Sequence, residues 1–195
     1  ARFITAIQEE RVAASGKLEG SAGEAAGDVD ERKLIVATAD ALYGSMIASY
    51  AQGFALMREA SQANPENENG DYDFKLDMPD IARIWKGGCI IRSNLLDPIR
   101  SAFQEDPELP NLMVAPRFQD ILNDAQFQQN WRFLVDFAAA SGLPRDAMAA
   151  SLSYFDNYRT ERLAADMIQS LRDRFGQHGF ERTDRDGTDY HLNPV

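Results

Sequence analysis

A chain of 195 residues with 44% hydrophobic side chains can bury a sizeable core in one compact domain and is too apolar to remain disordered. Its 20 basic and 31 acidic side chains leave a formal charge of −11. That balance argues against a nucleic-acid partner, which needs a cationic face to neutralise phosphates.

The first residues, Ala1-Arg2-Phe3-Ile4-Thr5-Ala6-Ile7, carry neither an initiator Met nor an N-cap before the apolar pattern starts. Ile4, Ile7, Arg11, Ala14 and Leu18 keep helical spacing, so the chain is expected to open inside a helix, as a fragment of a larger protein. A small, glycine-rich loop follows over 19–28. A long helix is predicted from about Glu31 to Gln62, with Leu42, Met46, Tyr50, Phe54 and Met57 as its apolar stripe. Tyr43, Ile47 and Ala51 widen that stripe, which suits the centre of a bundle.

Asn64-Pro65 to Gly70-Asp71 stops this helix. The pattern then predicts single helices over about 80–103, 118–140 and 145–174. Pro107, Pro110 and Pro116 punctuate the first connection, and Gly142 with Pro144 the second. From Gly176 onward the sequence is polar and irregular. A short peripheral strand could lie near Asp73 to Leu76, but no period-two alternation is sustained. The expected class is all-α, with five to seven helices and an extended C-terminal tail.

Much familiar chemistry is missing. There is no Gly-x-Gly-x-x-Gly turn, no P-loop and no Gly-x-Ser-x-Gly elbow. Cys89 is the only cysteine, so no intrachain disulfide can form; in Cys89-Ile90-Ile91 it reads as a small buried hydrophobe. His178 and His191 are too few and too far apart for a zinc cluster, and no metal is expected. No apolar run approaches the roughly 20 residues of a bilayer span, and no signal-peptide pattern opens the chain. The expectation is a cytoplasmic protein without a membrane partner. Gly87-Gly88 reads as close backbone packing around Trp85, and Glu9-Glu10 as a solvated helix face.

One cluster remains, Arg172-Asp173-Arg174-Phe175-Gly176-Gln177-His178. Two arginines and an imidazole at a helix end suit carboxylate or phosphate oxygens. They equally suit a basic C-terminus that complements the helix dipole and is capped by Gly176.

Trp85-Lys86-Gly87-Gly88-Cys89-Ile90-Ile91-Arg92-Ser93 resembles a characteristic segment of the 6-phosphogluconate dehydrogenases. Agreement continues in order through Ala41-Leu42-Tyr43-Gly44-Ser45, Ser49 to Phe54, Ser153 to Arg159 and Gln169 to His178. Glu9-Glu10-Arg11 with Ala14-Ser15 agrees too. The resemblance covers nearly the whole chain. It implies a helical substrate and dimerisation domain over 1–175, a tail over 176–195, and a nucleotide-binding domain that precedes this segment and is absent from it.

The family oxidises 6-phosphogluconate with NADP, releasing carbon dioxide and ribulose 5-phosphate. Its members are homodimers whose tail enters the partner's active site. Carried over, Arg2 matches an arginine that binds the substrate phosphate. Arg172 and His178 match the arginine and histidine that the tail delivers across the dimer. The family's acid/base lysine and glutamate lie upstream, so no catalytic residue and no cofactor-binding residue is expected in this fragment, and it should be inactive alone. Departures from the family pattern are Met46 in place of lysine, Arg174 in place of tyrosine, and Pro194 in place of the Trp of a His-x-Asn-Trp stretch. Two other functions fit a helical domain of this kind: a non-catalytic dimerisation module, and a related β-hydroxyacid dehydrogenase. The set Arg2, Arg172 and His178 favours the phosphosugar acid.

Overall fold

The computed structural model describes residues 8–18, 20, 29–61, 74–187 and 189–192. Among them are eight α-helices, one more than the sequence pattern allows for, and no named strand. In chain order these are α1 (Gln8–Ser15), α2 (Glu31–Ser61), α3 (Met78–Lys86), α4 (Leu96–Glu105), α5 (Pro116–Leu122), α6 (Ala125–Ala140), α7 (Asp146–Tyr158) and α8 (Asp166–Gly176); a 3-10 turn, Leu112–Val114, precedes α5. The chain divides into two compact units, the first ending at Phe155 and the second starting at Asp156.

The first unit is organised by α2, which packs along α6 and touches the 3-10 turn and α3. Its buried line is Ala37, Ala41, Gly44, Ser45, Ile47, Ala48, Ala51 and Phe54. This follows the predicted pattern only in part: Ile47, Ala51 and Phe54 are buried, but Leu42 is half exposed, and Met46, Tyr50 and Met57 only flank the core. Small side chains on α2 let large ones from elsewhere come close. A Cβ on Gly44 would sit 2.6 Å from Cε3 of Trp131 on α6. Near the other end of α2, Phe54 meets Trp85 of α3 edge-on and stacks on Phe103 of α4, both at 5.3 Å. Asn130 on α6 is buried and donates to Asp40 of α2 at 2.7 Å.

Contrary to the sequence expectation, α2 does hold an 18-residue window, of mean hydropathy 1.3, that is long and apolar enough to cross a membrane. Its apolar line is instead packed against helices, as in a core helix. Glu9 and Glu10 on α1 are exposed, in keeping with a solvated face.

Each of the three long helices predicted after α2 is broken in two. Asp77 caps α3 by accepting from the Asp80 N–H at 2.8 Å, two residues before the predicted start. The chain leaves helix at Gly87, and Lys86 pairs with Asp97 across the break. Asn123 closes α5, and Asp124 opens α6 by accepting from the Phe127 N–H at 2.7 Å. Between α7 and α8 there is neither Gly nor Pro. There the backbone closes a tighter turn, the Thr160 N–H donating to the Asn157 carbonyl three residues back at 3.2 Å. Gly142 is the stop that the sequence announces: φ is +66°, and Leu143 N–H reaches back to Ala138 O at 2.8 Å.

The loop between α3 and α4 overturns two readings. Cys89 is half-buried, and Ile90 is 99% exposed, so Cys-Ile-Ile is not a buried run. A Cβ on Gly88 would meet nothing within 4 Å, so no backbone packs closely there. The Tyr50 hydroxyl does tie this loop to α2, donating to the Ile91 carbonyl. No strand forms over Phe74–Leu76; Asp73, like the predicted loop at 64–71, lies outside the described residues.

Candidate functional site

The second unit carries the cluster singled out by sequence. Helix α8 places Met167, Ile168, Leu171 and Phe175 on its exposed surface. Gln169 and Asp173, four residues apart, share another face. The helix ends at Gln177, whose φ of +51° is left-handed and whose N–H returns to Asp173 O at 2.7 Å. Gly176 is therefore the last helical residue and not the cap. What its missing side chain provides is room, since a Cβ there would lie 2.6 Å from Nε2 of His178.

Beyond the helix, the tail folds back on itself. Gly179 has φ of +71°, a conformation that favours glycine. Phe180 and Tyr190 form an antiparallel bridge, with N–H to O distances of 2.9 and 3.3 Å. Inside this turn the Arg182 guanidinium grips both Asp184 oxygens at 2.7 Å and lies 5.6 Å over the Tyr190 ring.

Asp173 joins the helix to the tail. Its carboxylate is 3% exposed. Oδ1 accepts from Gly179 N–H at 2.9 Å and lies 2.7 Å from His191 Nδ1; Oδ2 accepts from Leu192 N–H at 2.6 Å. Gln169 grips the same Gly179 peptide from its other side, Nε2 donating to the carbonyl at 2.6 Å. The Gln169 Oε1 accepts from Arg172 Nη1 at 3.0 Å. One chain of bonds thus runs Arg172, Gln169, Gly179, Asp173, His191.

The His191 ring lies between two carboxylates, with Nε2 3.0 Å from Asp189 Oδ1. Carboxylate oxygens only accept, so satisfying both ring nitrogens requires the doubly protonated imidazolium. The hydrogen bond to Asp173 is the main force raising the His191 pKa above its ordinary 6.5; Asp189 adds to it and burial opposes it. Asp173 is held below its ordinary 3.8 chiefly by the Leu192 N–H, then by His191 and the Gly179 N–H, again against burial.

The two shifts act on opposite sides of neutrality. The Asp173 contribution is present above pH 3.8 and is lost as pH falls through its depressed pKa. The His191 contribution is full below pH 6.5 and is lost as pH rises through its elevated pKa. Docking of the tail should be firmest between those limits and weaken in alkali. An NMR titration of the ring checks this: His191 should titrate above 6.5, and Asp173→Asn should bring it back down. A midpoint at or below the ordinary value in the unmodified protein would show that the imidazolium is not held here.

Of the sequence-predicted site residues, Arg172 and His178 are exposed and flank the C-terminal end of α8. Arg2 lies outside the described residues. His178 lines a concavity of about 710 Å³ together with Arg162, Gln169 and Arg182; Arg172 does not. Arg162 and Arg182 are paired with Asp166 and Asp184, whereas the His178 ring makes no hydrogen bond among the described residues. An incoming anion would find that ring available. No group of three or more His, Cys, Asp or Glu that could hold a metal exists among the described residues. Sequence reasoning missed Asp173 and Gln169. The signal was their i, i+4 spacing on a face of α8 without large apolar residues, obscured because attention fell on the cluster's cations.

The sequence matches the family model described as the C-terminal domain of 6-phosphogluconate dehydrogenase over residues 1–193. The decarboxylating 6-phosphogluconate dehydrogenase of Synechocystis sp. is 44% identical over 95% of this chain and 36% of its own length. The NADP(+)-dependent decarboxylating enzyme of Bacillus subtilis is 42% identical over 96% of this chain and 38% of its own. A solved structure of Plasmodium falciparum 6-phosphogluconate dehydrogenase, from work on its apo, NADP+ and 6-phosphogluconate forms, superimposes with a TM-score of 0.81. It shares 33% identity and covers 98% of this chain and 39% of its own. The chain thus spans less than two-fifths of the relatives it matches. An all-helical first unit, a helix-and-tail second unit and a match along almost every residue place the chain in the 6-phosphogluconate dehydrogenase family, as its C-terminal domain.

Proposed function

We propose that this chain is the helical substrate and dimerisation part of a decarboxylating 6-phosphogluconate dehydrogenase, and that it supplies about half of that enzyme's substrate site. The carrying observation is that Arg172 and His178, both exposed, flank the helix end where Asp173 and Gln169 fix the tail. Guanidinium and imidazole groups suit a ligand bearing a phosphate and a carboxylate. Arg2 is the third member of the proposed set. Residues 1–175 serve substrate binding and dimer contact, and residues 176–195 are the exchanging tail.

NADP belongs to the reaction but not to this chain's own residues. The sequence has no glycine-rich turn of the dinucleotide-binding kind, so a joined nucleotide domain would hold NADP, the hydride acceptor of the reaction. The residues here bind and orient the sugar acid. The proposed partner is a second copy. Phe175 is 87% exposed and Met167 74%, and with Ile168 and Leu171 they form an apolar helix face of the kind that marks an interface. The proposed location is the cytoplasm, as a soluble protein.

The test joins the chain to its nucleotide domain. The full-length enzyme should release carbon dioxide and NADPH in equal amounts from 6-phosphogluconate, and sediment as a dimer. This chain alone should do neither step of the chemistry. Turnover by the chain alone, or none by the full-length protein, would contradict the proposal.

A further inference from the structure

We propose that Asp173 is a positioning residue of the substrate site: by clamping the tail to α8 it fixes where His178 and Arg172 are presented. The proposal rests on the function given above and adds to it a residue that touches no substrate. Three independent observations converge on this carboxylate.

It is buried although it carries charge, and its two oxygens take three hydrogen bonds from groups far apart in sequence. Gly179 N–H follows His178 directly, while His191 and the Leu192 N–H come from beyond the Phe180–Tyr190 bridge. Asp173 therefore holds both limbs of the tail's turn at once. The Gly179 peptide has no freedom left, its N–H held by Asp173 and its carbonyl by Gln169. Because Gln169 also receives Arg172, one rigid link sets both proposed ligand groups. The room left by Gly176 then lets the His178 ring lie over the helix end. The charged groups facing the clamp are His191 from the tail and Asp189 behind it. Preorganisation of this kind lowers the ordering cost of binding and so acts on affinity.

The experiment is Asp173→Asn in the full-length enzyme. The amide keeps the shape but turns one acceptor into a donor that opposes an N–H. The KM for 6-phosphogluconate should rise about tenfold or more, the scale of losing hydrogen bonds to a charged group. The kcat and the KM for NADP should stay unchanged, which a loss of folded enzyme would not produce. His191→Ala should act in the same direction. His191→Asn, whose amide can still donate to Asp173, should restore most of the affinity. Hydrogen exchange supplies a readout that needs no turnover: the Gly179 and Leu192 amides should exchange faster in Asp173→Asn, while the amides of α2 and α6 do not change. An unchanged KM, or a rise in KM accompanied by a fall in kcat, overturns the positioning role. Unchanged exchange at Gly179 and Leu192 overturns the clamp itself. If the unmodified enzyme fails to turn over 6-phosphogluconate, the proposed function falls, and the exchange measurement still decides whether Asp173 holds the tail.

Discussion

Trp131→Ala should lower the stability of the first unit by about 3–5 kcal/mol, the range for removing a large aromatic from a packed core. For a domain of this size each kcal/mol moves the midpoint by about 2–4 °C, so the thermal transition should fall by roughly 6–20 °C. The reason is position as much as size. Trp131 has no exposed surface. Its ring meets Phe127 edge-on at 6.3 Å and stacks on Phe155 at 5.8 Å. Its six-membered ring presses on Gly44 at a distance that leaves no space for a methyl group. Emptying this site removes contacts from α2, α6 and α7 together, and the flat face of α2 has no side chain to collapse into the hole. The indole N–H is buried without an acceptor among the described residues, so Trp131→Phe, which removes that donor and keeps a ring, should lose less. Melting followed by circular dichroism measures both. A shift of only a degree or two for Trp131→Ala would show that the α2–α6 contact is not what holds this unit together.

The same contact shows what was legible in the sequence. The extent of α2 could be read to within a residue, because Asp30 leads into it and Asn and Pro follow it. Which face it buries could be read only in part: Ile47, Ala51 and Phe54 belong to the predicted pattern and are buried. Large apolar residues drew the stripe through Leu42 and Tyr50, whereas the buried line follows Ala41, Gly44 and Ala48, where a neighbour's Trp fills the space. Small residues gain their burial from a partner helix, and a one-dimensional pattern does not contain the partner. Helix breaks followed a similar rule. Gly142 announced itself, but the gap after Tyr158 falls in a stretch with neither Gly nor Pro, where the chain pattern carries no stop. At the proposed site, Arg172 and His178 come from the family resemblance and from the chemistry of their side chains. Asp173 was one of 31 acidic residues, distinguished only by bonds to groups as far as 19 positions away.

Arg172→Ala in the full-length enzyme is where the proposed function is most exposed to refutation. A guanidinium facing a phosphate or carboxylate contributes about 1.5–3 kcal/mol as a charge-assisted hydrogen bond, a factor of roughly 10 to 100 in affinity. The KM for 6-phosphogluconate should rise by that factor, with the KM for NADP unchanged. The structure gives a reason to expect the upper part of the range. Among the described residues only Nη1 is engaged, by Gln169 at 3.0 Å, so the side chain is oriented while its other N–H groups are left for an oxyanion. Arg172→Lys should recover part of the loss, since the charge returns but the planar fork does not. An equal rise in both KM values would mean that Arg172 supports the fold. No change in either would remove it from the proposed site and leave His178, whose ring makes no hydrogen bond among the described residues, as the group this tail would offer the substrate.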